Sequence, residues 1–357
     1  MIEKSLCEIS NPKQWKTIST DMLKDEGYPV YGANGIIGYY SEYNHEEKTL
    51  LITCRGATCG SLNICDPYSY VNGNAMALDN LIEEINIHYL YYYLLNRGLN
   101  DAITGTAQPQ IVRQSLQKVV IKYPELEVQH QIVNRLNQVA NLINKRKKQL
   151  EKLDELVKAR FVEMFGDPQH NRNNFVKIED IGMLTSGGTP SRAKSEYFEG
   201  DIRWYNAGEL NTLYLPDSTE HISKIALQQS SAKLFKKGSL MIGMYDTAAF
   251  KMGILTEDSS SNQACANLNP RDGYNVIWLY YLFDIMKPVF LRERQGVRQK
   301  NLSLTKIKEF EVPSAPTEQQ NQFAAFVEQV DKSKFKIKQS LEKLELLKKA
   351  LMQKYFG

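Results

Sequence analysis

Two sets of loop residues in this 357-residue chain carry side chains suited to reading hydrogen-bonding edges. The first half offers Asn34, Arg55, Asn72, Asn74 and Gln108. The second offers Thr189, Arg192, Lys194, Arg203, Asn206, Asn262 and Gln263. Arginine, asparagine and glutamine have the paired donors and acceptors that match guanine and adenine edges, whereas lysine and hydroxyl side chains suit phosphate oxygens. The run LRERQGVRQKN at 291–301 is the densest basic patch and adds Arg292, Arg294, Arg298 and Lys300, as expected for phosphate contacts. A single residue of this kind is more often an ordinary solvated loop residue, so the reading rests on the group.

Catalytic chemistry has no comparable set. The segments SNPKQW, CDPYSY and LNPRDG lack the Asp/Asn-Pro-Pro-aromatic motif of adenine methyltransferases, and SGGTPSRAK lacks the GxxxxGK[ST] spacing of a phosphate loop. Glu220 stands four residues before Lys224, too far for the Glu-x-Lys of nuclease triads. His45, His88, His130, His170 and His221 are not paired with Cys or Asp at ligand spacing. Three of the five cysteines, Cys54, Cys59 and Cys65, lie close together without the second ligand pair of a metal site. They are expected as buried thiols in strands, and the chain as a non-enzyme without metal.

Basic and acidic residues nearly balance, 44 against 41, for a formal charge of +3. That balance argues against an acidic surface that mimics DNA and confines any basic footprint to local patches. No run approaches 18 apolar residues and no apolar leader follows Lys4, so a cytoplasmic protein with no membrane partner is expected.

The elements that must position the loops are written twice. QLEKLDELVKARFVEMFG at 149–166 matches SLEKLELLKKALMQKYFG at 340–357, and the offset of 191 residues holds from Gly105–Gly166 against Gly296–Gly357. Upstream, SYVNGNAMALD at 69–79 resembles SSSNQACANLN at 259–269. IEKSLCEIS at 2–10 lines up with IEDIGMLTS at 178–186 at an offset of 176, which implies about fifteen residues gained by the second copy. Such self-similarity describes two mixed domains, each followed by a long helix.

In the first helix Ile132, Leu136, Val139, Ile143, Leu150, Leu153 and Val157 recur at spacings of three and four. Phe323, Val327, Val330, Ile337, Leu341, Leu344 and Leu351 do so in the second. This is a heptad seam, and antiparallel pairing of the two helices is expected, the alternative being that each helix docks on its own domain. Pro124 and Pro316 suit the first turns and Gly166 and Gly357 the C-caps. In a symmetric register Arg146 and Lys334 share a layer, which calls for a register shift, snorkelling or an acidic partner. Within the domains, 28–43 reads as a hairpin around Ala33-Asn34-Gly35, 48–65 as two strands around Gly56, and 238–255 as its counterpart. Helices are expected at 87–97 and 275–292. The fold class is α+β: two tandem domains separated by two long helices packed as an antiparallel coiled coil, a pseudo-two-fold repeat.

With the segments YPVYGANGIIGYY, LITCRGATCG, YVNGNAMAL, SGGTPSRAKSEYFEGDIRWYNAGEL, GTAQPQI and GVRQKNL in this order, the chain resembles the specificity subunits of type I restriction–modification systems over essentially its whole length. The resemblance implies target recognition domains at 1–123 and 167–315, and spacer helices at 124–166 and 316–357. Each domain would read one half of a gapped site in double-stranded DNA, with the helices as ruler and as docking surface for two modification (methyltransferase) subunits. It implies no cofactor on this chain: S-adenosylmethionine belongs to the modification subunits, ATP and Mg to a separate restriction subunit. The alternative on the residues alone is a non-enzymatic adaptor whose two domains bind proteins.

Overall fold

The computed structural model describes residues 1–105, 108–170, 174–294 and 301–357. The chain divides into two compact units, one formed by Met1–Lys147 with Lys338–Gly357, the other by Lys148–Ile337.

In chain order the first unit holds β1 (Ile2–Ser5), α1 (Leu6–Ile9), β2 (Asn11–Gln14), β3 (Tyr28–Gly32), β4 (Gly35–Tyr40), β5 (Leu50–Thr53) and β6 (Leu62–Ile64). There follow β7 (Tyr70–Val71), β8 (Ala75–Asp79), α2 (Ile87–Arg97), β9 (Ile103–Thr104), β10 (Gln110–Ile111), α3 (Arg113–Leu116), β11 (Val120–Tyr123) and the start of α4 (Leu126–Phe165). The second unit takes the rest of α4, then β12 (Phe175–Lys177), α5 (Ile178–Ile181), β13 (Gly182–Ser186), β14 (Ile202–Tyr205), β15 (Glu220–Ile222), α6 (Lys224–Gln229) and β16 (Leu240–Gly243). It continues with β17 (Met252–Ile254), β18 (Ser260–Ser261), β19 (Cys265–Pro270), α7 (Val276–Arg292), α8 (Leu304–Glu309), β20 (Glu311–Pro313) and the first part of α9 (Thr317–Phe356).

Three sheets recur in both units, and the first unit also holds the β10-β9 pair. The order β2-β8-β5-β6 is repeated as β13-β19-β16-β17, β4-β3-β7 as β15-β14-β18, and β1-β11 as β12-β20. Each three-stranded sheet joins an antiparallel pair to one parallel neighbour, Val30 opposite Tyr70 and Trp204 opposite Ser260. The hairpin expected at 28–43 is β3–β4, and the pair expected around Gly56 is β5–β6. The helices expected at 87–97 and 275–292 are α2 and α7, the latter capped by the Asn275 side chain.

One alignment needs correcting. Leu6 N–H donates to the Val119 carbonyl at 2.8 Å and Ile178 N–H to the Phe310 carbonyl at 2.9 Å, so Leu6 corresponds to Ile178 and α1 to α5. The offset of 176 was thus four residues out of step. The extra residues of the second copy lie chiefly between β14 and β18, where the two-residue turn between β3 and β4 becomes the 206–219 connection. The thiols also differ from expectation. Cys54 and Cys65 are buried just beyond strand ends, and Cys59 is half-buried in a turn, because the Gly56 turn carries it out of the sheet.

Each unit closes its core with parts of both long helices. In the first, Ile132, Val133 and Leu136 of α4 and Met352 of α9 join Leu6, Ile9, Leu50, Ile52, Tyr89 and Leu90. In the second, Val157 and Phe161 of α4 and Phe323 and Val327 of α9 join Ile178, Ile181, Leu240, Trp278 and Phe283. The seam therefore serves both expected partners, the opposite helix and the domain. Ile132, Leu136, Val139, Ile143, Val157, Phe323, Val327 and Val330 are buried; Leu150, Leu153, Ile337, Leu341, Leu344 and Leu351 are half-buried.

The two helices run antiparallel within each unit. In the first, Arg135 donates to the Tyr355 hydroxyl at 3.0 Å and Lys147 lies 3.8 Å from Glu345. In the second, Lys334 meets Asp154 at 2.5 Å and Phe161 stands edge-on to Phe323. Lys334 also has Asp331 at 3.7 Å, so within its unit it has acidic partners, as a half-buried ammonium requires. Gly166 ends the first helix with φ +76° and its N–H on the Val162 carbonyl, a glycine C-cap. Pro124 and Pro316 stand just outside the first turns.

A buried amide fastens each helix start to its domain. Gln129 accepts from Asn86 N–H at 2.9 Å and donates to the Glu84 and Pro124 carbonyls, both at 2.8 Å. Its repeat mate Gln320 accepts from Asn275 N–H and donates to the Gly273 and Ala315 carbonyls. Both are fully buried. Replacing Gln129 with alanine leaves one N–H and two carbonyls unpaired, and is expected to destabilise the first unit by roughly 2–4 kcal/mol. Urea unfolding of Q129A against wild type measures this. A loss below about 0.5 kcal/mol would mean that water replaces the amide.

Candidate nucleic-acid interface

In the first unit four loops converge on Cys54. Its N–H donates to the Asn74 carbonyl at 3.1 Å and its carbonyl accepts from Ile111 N–H at 3.0 Å. Gly56 N–H donates to the Pro109 carbonyl at 3.3 Å, and the Thr53 hydroxyl donates to the Ala33 carbonyl. The Cys54 sulfur takes a hydrogen bond from Gln14 Nε2 at 2.8 Å. Burial pushes the Cys54 thiol up, against smaller opposing effects of Gln14 and Arg55, so it stays neutral and serves as an anchor.

The cleft these loops frame is lined by Ala33, Arg55, Gly56, Asn74, Gln108, Pro109 and Gln110. It brings together three of the five candidates, Arg55, Asn74 and Gln108, all exposed, with exposed Asn34 next to Ala33 at the hairpin tip. A guanidinium and several amides, with no carboxylate in the lining, can present donors and acceptors to a base edge. Asn72 does not belong with them. It is 3% exposed, and its amide is spent on the N–H and the carbonyl of Ile18, tying β7 to the 15–18 segment.

The second unit uses its candidates differently. Arg192 stacks on Phe198, 4.4 Å from its ring centre, and is paired with Glu220, whose carboxyl it holds below the usual range. Arg203 is shared by Asp217 at 2.9 Å and Glu257 at 2.7 Å, and its side chain is only 20% exposed. Lys194 donates to the Tyr197 hydroxyl at 2.9 Å. Asn206 caps a short turn and bonds Glu209, and Asn262 caps the turn before β19. These groups are committed internally, the two arginines to carboxylates distant in sequence and Lys194, Asn206 and Asn262 to groups two or three residues away. Thr189 and Gln263 are hydrogen-bonded to each other beside the Gly187-Gly188 run, where a Cβ on Gly188 would collide with the Ser231 carbonyl. Arg292 is exposed in the last turn of α7, and half-buried Arg294 bonds the Leu291 carbonyl. Arg298 and Lys300 lie outside the described residues.

Sequence reasoning missed Tyr245. The backbone pattern around Cys54 recurs at Met244, whose N–H donates to the Ala264 carbonyl and whose carbonyl accepts from Leu302 N–H. Tyr245 thus occupies the place of Arg55 and is 39% exposed. Following the repeat through 238–255 was the signal that could have found it. Among the described residues no cluster of three or more His, Cys, Asp or Glu could hold a metal, and no helix is long and apolar enough to cross a membrane.

Solved structures share the fold. The S subunit of a type I restriction–modification system from M. genitalium superposes with a TM-score of 0.65 at 16% identity, over all of this chain and 96% of the other. A chain from a structural study of complex assembly and conformational transition of the type I R-M system gives 0.60 at 16% identity, over 99% and 97%. In sequence the chain is 29% identical over 178 residues to the type I restriction enzyme MjaIX specificity subunit of Methanocaldococcus jannaschii, covering 48% of this chain and 41% of that protein. It is 31% identical over 146 residues to the EcoprrI specificity subunit of Escherichia coli, covering 40% and 36%. The matched stretches thus span about two-fifths of these two relatives. The family model for the type I restriction modification DNA specificity domain matches twice, at residues 3–152 and 171–347, and the chain belongs to that family.

Proposed function

We propose that this chain is the DNA sequence-specificity subunit of a type I restriction–modification complex, working in the cytoplasm, with each unit reading one half of a gapped site in double-stranded DNA. The observation that carries the reading is the duplicated α+β unit, whose first copy gathers Arg55, Asn74 and Gln108 into one cleft on loops clamped by backbone hydrogen bonds. Recognition domains at 1–123 and 167–315 read bases. The helices at 124–166 and 316–357 set the gap and dock two modification subunits. Methyl transfer belongs to those subunits, which bind S-adenosylmethionine, and cleavage to a restriction subunit using ATP and Mg. This chain contributes binding and positioning, not chemistry.

The test is a methylome. Full-length chain is expressed with the modification subunit encoded beside it, in a host without adenine methylation, and modified adenines are mapped by long-read sequencing. A two-part motif with a fixed gap, present only when both proteins are present, is expected. No new methylation from a modification subunit active with another specificity subunit would shift the reading to a protein–protein adaptor.

A further inference from the structure

The repeat extends to the hydrogen bonds that hold one residue at the mouth of each unit. Cys54 and Met244 are clamped alike: N–H to the carbonyl of Asn74 or Ala264 (3.1 and 2.9 Å), carbonyl from Ile111 or Leu302 N–H (3.0 and 2.8 Å). The residues before them match too, for Thr53 N–H donates to the Ser61 carbonyl and Gly243 N–H to the Lys251 carbonyl, both at 2.8 Å. Gly60 and Phe250 N–H return to the Thr53 and Gly243 carbonyls, again at 2.8 Å. The next residue is therefore fixed in backbone, and its side chain makes no hydrogen bond or ion pair among the described residues. It is Arg55 in one unit and Tyr245 in the other.

Arg55 also differs from Arg192 and Arg203, two candidate arginines of the second unit. Arg192 is paired with Glu220, and Arg203 with Asp217 and Glu257, whereas Arg55 makes no ion pair with a described carboxylate. A guanidinium on a clamped backbone, among amides, keeps both parallel donors for guanine O6 and N7. A tyrosine offers one hydroxyl and a ring edge, and cannot impose that two-donor pattern.

Resting on the proposed function, we infer that this clamped position is a base-reading position in each unit: Arg55 requires a guanine in the half-site of the first unit, and Tyr245 gives the second unit a different requirement at the equivalent place. The duplicated scaffold then presents an unlike side chain at this equivalent place in each unit, one source of two unlike half-sites.

The experiment compares methylation maps of the full chain with its modification subunit for wild type, R55A, R55K and Y245R. In R55A one G·C position of one half-site should become degenerate, with the other half unchanged. Discrimination there should fall by roughly 5- to 150-fold, the value of one bidentate contact. Y245R should change the other half alone. R55K keeps the charge and can still donate to guanine O6 and N7, so it should retain more of the guanine preference than R55A. An unchanged motif in R55A, or an equal loss over both halves, would overturn the inference, the latter by making Arg55 a phosphate contact. A wild-type map without any two-part motif would instead sink the subunit reading itself, and this inference with it.

Discussion

Replacing Phe323 with alanine is expected to destabilise the second unit by about 3–5 kcal/mol, as for large-to-small changes at fully enclosed aromatic sites. Phe323 is fully buried on α9, edge-on to Phe161 at 5.3 Å and Tyr281 at 5.5 Å and near Phe165 at 5.9 Å. One ring thus joins both long helices to α7, and its loss leaves a cavity that rigid neighbours on three elements cannot fill. Trp278, 5.9 Å from Phe165, makes tryptophan fluorescence during urea unfolding a local reporter. Ile132, the repeat mate, holds the same place in the first unit, and I132A should cost about 2–5 kcal/mol. A cost under 1 kcal/mol for F323A would show that the helices are held to this unit by other contacts.

A steep loss of stability is expected on the alkaline side. Burial pushes the Cys265 thiol up to about 12 from 9.0 and the Tyr280 hydroxyl up to about 12 from 10.0. Burial raises Tyr281 and Tyr89 as well. These groups are held neutral in the folded chain and ionise more easily once unfolded. Their stabilising contribution is fully present below about pH 9 and is lost as pH rises toward 12. Urea midpoints should stay level between pH 7 and 8.5 and fall progressively above it. C265A should remove part of the early fall and leave the parts that the other buried thiols and the tyrosines contribute. A midpoint unchanged at pH 11 would count against this account.

How much was legible in the sequence follows from the range of each interaction. The long helices were readable because a seam repeats within one element, and Phe165-Gly166 recurs as Phe356-Gly357. Correspondence at the N-terminus was misread because a short string of isoleucines and acids matches itself in two frames. Only the backbone bonds from Leu6 and Ile178 select the frame. Asn72 and Asn74 looked alike, yet the first is folded inward onto Ile18 and the second is exposed, a difference decided by one tight turn between β7 and β8. Arg192 and Arg203 lose their freedom to Glu220, Asp217 and Glu257, partners 14 to 54 residues away that periodicity cannot assign. Gln129 and Gln320 were visible as repeat mates, but their role depends on carbonyls brought from the turns before α2 and α7.

The division of the chain also dictates an order of construction. The second unit is continuous, Lys148–Ile337, while the first needs both Met1–Lys147 and Lys338–Gly357. On the ribosome the second unit has its whole sequence available while the first still lacks Met352, Tyr355 and Phe356, the residues that cover Tyr89 and its neighbours. The domain synthesised first is therefore the last to be completed. Until Lys338–Gly357, the last part of α9, is added, the chain carries the whole sequence of one unit and another with an open apolar side, a natural moment for chaperone capture.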